Sequence, residues 1–175
     1  MISKIKQAIL DKIINFRLKV ISKHDRAYDF SEQLAKTKKI LIIIPAGNEY
    51  SESMQNFTQK IGRLFKVARV STFVNSSLRK SDLNWLGVPN EKYLKIVRDE
   101  QFDLVVDINT KQDTISSYLC ALSGAPMRIN LTSGDFDHLY NLHFRVSDVN
   151  KSNDERLQNI LSYLEFLLNK KSVKA

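Results

Sequence analysis

The segment from Phe102 to Leu131, FDLVVDINTKQDTISSYLCALSGAPMRINL, leaves few ways to fold. Phe102, Leu104, Val105, Val106 and Ile108 form an apolar run interrupted only by Asp103 and Asp107. A run of this kind suits a strand covered on both faces, as in a parallel sheet. Ser116 to Ser123 then carries Tyr118, Leu119 and Leu122 among small residues, which predicts a helix lying on that sheet. Gly124 supplies a left-handed stop, and Pro126 prevents continuation. Met127 to Leu131 reads as the next strand.

The rest of the chain repeats the alternation. Lys38 to Ile44 is a β-branched run ended by Pro45, and Ser51 to Lys66 carries Met54, Phe57, Ile61, Leu64 and Phe65 at helical spacing. Val67 to Val74 reads as a second strand, Glu91 to Asp99 as a helix, Leu142 to Val146 as a short fifth strand and Asn153 to Leu168 as a closing helix. A short helix is expected near Phe30 to Leu34. Strands alternating with helices over short links predict an α/β, Rossmann-like, doubly wound and mostly parallel five-stranded sheet. Its central strand is expected at Ile40–Ile44. The expected organisation is a basic amphipathic helical extension over 1–37 and one Rossmann-like domain over 38–170.

Charge separates the two parts. Residues 1–39 hold ten Lys/Arg against four Asp/Glu, a net of +6, and residues 40–175 hold seventeen against fifteen, a net of +2. Ile2, Ile5, Ile9, Ile13, Phe16 and Val20 recur at spacings of three or four, one face of a helix. Leu10, Ile14, Leu18 and Ile21 widen the apolar surface, while Lys4, Asp11, Lys12, Asn15 and Lys19 form the polar face. Three uses compete for such a helix: packing across its own domain, lying on an anionic membrane surface, or contacting a protein partner. The residues proposed for the last two uses are Ile5, Ile9, Ile13, Phe16 and Val20 with Lys12 and Lys19, within residues 1–23. Nucleic acid is not an expected partner, because the basic residues are interleaved with apolar ones and no aromatic platform accompanies them.

Other classes are excluded on simpler grounds. The longest uncharged apolar run, Ile40 to Ile44, is far short of the ~20 residues of a membrane-spanning helix. The first twenty residues contain Lys4, Lys6, Asp11, Lys12, Arg17 and Lys19, unlike a secretory signal. The single cysteine, Cys120, sits among Leu119, Ala121 and Leu122 and reads as a buried structural thiol. A reducing cytoplasm is the expected setting, with the inner membrane surface as its peripheral variant.

The KILII first strand, the FDLVVDIN third strand and SYLCALSGAPMRINL together resemble the N-terminal, acceptor-side half of heptosyltransferase-like glycosyltransferases, family nine, and its short bacterial relatives. Asp103, Asp107, Leu119, Leu122, Gly124, Ala125 and Arg128 match that family's strand, helix and turn over about residues 38–146. The resemblance implies a two-domain enzyme with a Gly-Asp pair after the first strand, whose Asp acts as general base. Here the loop reads Pro45-Ala46-Gly47-Asn48-Glu49-Tyr50-Ser51, without that pair.

Candidate chemistry is sparse. No catalytic residue, cofactor or metal is expected. Glu49 and Glu52 place negative charge where a phosphate would sit, and they read instead as complements of a helix dipole with Ser51 as cap. Asp107 and Asn109 end the third strand at the carboxyl edge of the sheet, where ligands of such folds bind. The competing reading has Asp107 ordering the Thr110–Asp113 turn. Candidate ligand contacts are Asn48, Glu49, Ser51, Asp107, Asn109 and Ser133. Asp135, Asp137, His138 and His143 read as a solvated loop, and Trp85 as part of a satellite core. The function expected is a non-catalytic binding or scaffold protein. The alternatives are an acceptor-side component of a split glycosyltransferase, with its donor domain on a partner chain, and a stand-alone small-ligand binder.

Overall fold

The computed structural model describes residues 5, 8–13, 16, 29–47, 51–144 and 152–169. Five strands form one parallel sheet: β1 (Lys39–Ile44), β2 (Arg69–Val74), β3 (Leu104–Asp107), β4 (Met127–Asn130) and β5 (Leu142–His143). Their spatial order is β2-β1-β3-β4-β5. The helices are α1 (Phe30–Ala35), α2 (Glu52–Leu64), α3 (Glu91–Asp99), α4 (Thr114–Leu122) and α5 (Asn153–Asn169). This is the doubly wound, Rossmann-like α/β architecture that the run patterns predict.

Burial follows from strand position. All four residues of β3 and all four of β4 are buried, and five of six in β1, whereas the edge strand β2 buries only Phe73. The middle place belongs to β3, not to the Ile40–Ile44 strand. β1 is interior, but β4 and β5 both add on the far side of β3.

Alternating side chains divide the core into two layers. Leu41, Ile43 and Val105 face α3 and α4, together with Leu119, Leu122, Leu139 and Tyr140. Ile40, Ile42, Ile44, Leu104, Val106 and Ile108 face α2 and α5, together with Phe57, Ile61, Ile160 and Leu164. Leu34 of α1 joins this second layer, and Leu10 joins the first. Each fully buried Leu or Ile adds about 1.5–3 kcal/mol relative to exposure.

Local signals fix the element ends. Asp103 Oδ2 accepts from the Lys38 and Lys39 amides at 2.8 and 2.9 Å, tying the start of β1 to β3. Ser51 caps α2, Asn90 caps α3 and Asp113 caps α4. Gly124 follows α4 with φ +80°, the left-handed turn that glycine adopts without a Cβ clash. Trp85 is not part of a satellite core. It is 68% exposed, while its neighbours Leu86 and Val88 turn inward. Arg145 and Val146 of the expected fifth strand, and the tail from Lys170, lie outside the described residues.

Candidate functional site at the carboxyl edge of the sheet

In a doubly wound sheet, ligands bind outside the carboxyl ends of the strands, where the strand order reverses. Here β1 leads outward to β2, and the chain then returns to β3 on the other side of β1, so the reversal lies between β1 and β3. Pro45 and Ile108 follow these two strands. The edge carries a polar network on the α4 side and a narrow cleft on the α2/α5 side.

The polar network is centred on Asp107. Because it shares the face of Val105, the strand carries its carboxylate beneath α4, where it is 2% exposed. Tyr140 donates its hydroxyl to Asp107 Oδ2 at 2.6 Å. Asn109 donates its backbone N–H at 3.1 Å and its side-chain amide at 2.7 Å to Asp107 Oδ1. The same amide reaches Ser116 Oγ at 3.1 Å, and Ser116 Oγ lies 3.4 Å from Asn75 Oδ1. Asn75 in turn donates to Asp113. Asp113 Oδ2 also accepts from the Ser116 amide at 2.7 Å, so the cap of α4 belongs to the chain of contacts. Asp107 therefore orders the start of the loop through Asn109, but Asp113 caps the helix.

Burial pushes the Asp107 carboxyl above the ordinary carboxylate range, against the smaller lowering effect of the Tyr140 and Asn109 hydrogen bonds. Burial and then the Asp107 charge raise Tyr140 far enough that its phenol keeps its proton. Burial likewise drives the Cys120 thiol well up, which makes it a structural thiol rather than a nucleophile.

A raised folded-state pKa means that the folded form binds the proton more tightly than the unfolded one. Stability from Asp107 is then fully present below the ordinary carboxylate pKa of about 3.9 and is lost as pH rises through the folded value. Asp107→Asn keeps the shape. Its carbonyl accepts from Asn109, and its amide donates to a Tyr140 hydroxyl turned toward Ser117, whose Oγ lies 3.1 Å away. The melting-temperature gap between variant and wild type should shift in the variant's favour as pH rises from the unfolded value. A gap constant across that range would contradict the assignment.

Two further sets of contacts hold the surrounding loops. Arg128 donates Nε to the Leu139 carbonyl and a terminal nitrogen to the Ala125 carbonyl, both at 2.8 Å. Arg128 thus braces the turn that leads from α4 into β4. Gln112 donates to Asp137 at 2.8 Å and accepts from the Phe136 amide at 2.9 Å, latching the β3–α4 loop to the β4–β5 loop. A Cβ at Gly134 would collide with the Gln112 side-chain amide. Gly134→Ala should release this latch and raise proteolytic nicking of both loops. An unchanged digestion pattern would show that the latch does not order them.

On the opposite face, Pro45, Met54, Ile108, Thr110, Leu131 and Arg156 line the cleft, with Arg156 contributed by the first turn of α5. Arg156 Nε is buried and has no hydrogen-bond partner among the described residues. A separate groove of about 300 Å³ between α2 and α5 is lined by polar residues including Glu52, Asn56, Lys60 and Asp154.

Of the sequence-derived candidates, Asp107 and Asn109 come together. Ser51 lies apart from them, capping α2 against the other face of the sheet. Ser133 is exposed on the loop after β4. Asn48 and Glu49 lie outside the described residues. In the N-terminal helix, Ile5 and Phe16 are exposed, Lys12 is exposed, and Ile9 and Ile13 are half-buried. Val20 and Lys19 lie outside the described residues. No group of three His, Cys, Asp or Glu able to hold a metal occurs among the described residues. Asp137, expected in a solvated loop, instead joins the Gln112 latch and accepts from the Gly134 amide at 3.0 Å. Sequence reasoning missed Tyr140, Ser116, Ser117 and Asn75, which reach Asp107 or its partners only through tertiary packing. It also missed Arg156, which follows Asp154 and Glu155 in the first turn of the closing helix.

A family model described as a family of unknown function (DUF6913) matches residues 6–167, and the chain belongs to that family. A comparison with curated proteins finds no match.

Proposed function

We propose that this member of the family is a non-catalytic binding protein, a glycosyltransferase-like Rossmann domain held at an anionic membrane surface by its N-terminal helix. The observation that carries this reading is the division of that helix between inside and outside. Leu10 is 3% exposed within the core, whereas Ile5 is 56% and Phe16 70% exposed. At 100° per residue, Phe16 falls within about 20° of Ile5 around the helix, and Leu10 about 140° away. Lys12, also exposed, falls on the outward face with them.

A bulky apolar pair beside lysine, in a segment of net charge +6, is the chemistry that binds anionic lipid. Among the described residues, no helix is long and apolar enough to cross a membrane. Surface attachment is therefore the mode proposed. The non-catalytic part is supported by Asp107, whose two oxygens are both engaged by protein donors, and by a loop after β1 that lacks the Gly-Asp pair.

The test is co-sedimentation with phosphatidylglycerol-containing vesicles. The protein should pellet with them at low salt and be released at high salt, because exposed charge attraction is screened beyond a Debye length. Equal binding to neutral phosphatidylcholine vesicles, or none to either, would contradict the membrane reading. Turnover of a nucleotide sugar by the purified chain would contradict the non-catalytic one.

A further inference from the structure

We infer that the cleft at the β1/β3 reversal binds the phosphoryl group of a small phosphorylated molecule, with Arg156 as the recognising side chain. Three observations converge on it. The cleft lies at the carboxyl ends of β1 and β3, bounded by Pro45 and Ile108, which is where doubly wound folds place ligands. Arg156 Nε is buried without a partner among the described residues, and a buried donor left unmade is costly.

Among the described residues that line the cleft, Arg156 is the only charged one. Asn153 at the start of α5 and Met54 in α2 also line the cleft.

The acids in the first turns of α2 and α5 do not line this cleft. Glu52 and Asp154 line the separate α2/α5 groove, and Glu155 accepts from the Ser152 amide and hydroxyl at 2.8 and 3.1 Å. The enclosed space is about 10 Å³, room for one oxygen-sized group. One phosphoryl oxygen fits beside Nε, with the remainder of the ligand at the mouth near Thr110. Arginine suits this role because its planar fork offers two parallel donors to one oxyanion.

The experiment is a thermal-shift titration with inorganic phosphate, against sodium chloride of matched ionic strength and without lipid, so it is independent of membrane attachment. Wild type should show a saturable rise in melting temperature, as a ligand bound only to the native state must produce. Arg156→Gln should abolish it. Arg156→Lys keeps the charge without the fork and should weaken the apparent affinity about tenfold. It decides the matter if the Gln variant does not fold. A wild-type protein without a saturable phosphate response, or a response equal in all three proteins, would overturn the site and leave a buried water as the partner of Nε.

Discussion

Replacing Asp107 by Ala is expected to lower the stability of the domain by about 3–5 kcal/mol, because three buried donors lose their acceptor at once. Those donors are the Tyr140 hydroxyl and the backbone and side-chain amides of Asn109; the hydroxyl can turn to Ser117 and the side-chain amide keeps Ser116, but both must shift, and the Asn109 backbone N–H is left without the carboxylate. Tyr140→Phe removes one hydrogen bond to a buried acid and should cost less, about 1.5–3 kcal/mol. Chemical denaturation of the three proteins ranks them directly. A value for Asp107→Ala near that of an ordinary surface substitution, within ±0.5 kcal/mol, would show that the network is not a structural centre. Asp107 would then again be a candidate for ligand contact.

The second large effect separates the two sides of the N-terminal helix. Ile5→Ser with Phe16→Ser should remove most vesicle binding, since each side chain contributes about 1.5–3 kcal/mol when buried in lipid. The melting temperature should stay nearly unchanged, as both side chains are exposed. Leu10→Ala should do the reverse, costing about 2–5 kcal/mol of stability through the cavity it leaves in the core. Ile13 is a poorer probe than Ile5, because it is half-buried and its loss mixes the two effects. If both variants lowered stability alike, the whole helix would be packed on its own domain.

The elements were legible wherever the sequence carried a strong period or an unbroken apolar run. KILIII had to be buried on both faces, and β1 pairs with β2 and β3 along its length. Strand order was less legible. The run in β1 says only that it is interior, and the middle place passed to β3 because β4 and β5 add beyond it. The short TISSYLCAL helix was legible from Gly124 and Pro126, which end it, although its start at Thr114 needed the Asp113 cap to be seen.

The site was legible only in part. An acid in an otherwise apolar run marked Asp107, and its alternation with Val105 fixed the face it shares. Its partners come from β5's approach, the α4 start and the loop after β2, up to 33 residues away, and no local pattern announces them. Arg156 was hidden for a different reason. In sequence it stands in a charged first turn, NDER, and only the packing of α5 against the ends of β1 and β3 buries its Nε. Trp85 misled because its apolar neighbours suggested burial, whereas successive residues of a tight loop point in opposite directions.

Fluorescence of a tryptophan placed at position 16 tests the divided helix most directly. Trp85 is exposed and would dominate the signal, so the reporter is Phe16→Trp in a Trp85→Phe background. In buffer the emission should be that of a solvent-exposed indole. Adding phosphatidylglycerol vesicles at low salt should shift it to the blue and protect it from aqueous quenchers, with high salt reversing both. Blue, quencher-protected emission already present without vesicles would place Phe16 on its own domain, and emission unmoved by vesicles would contradict the membrane surface as its partner.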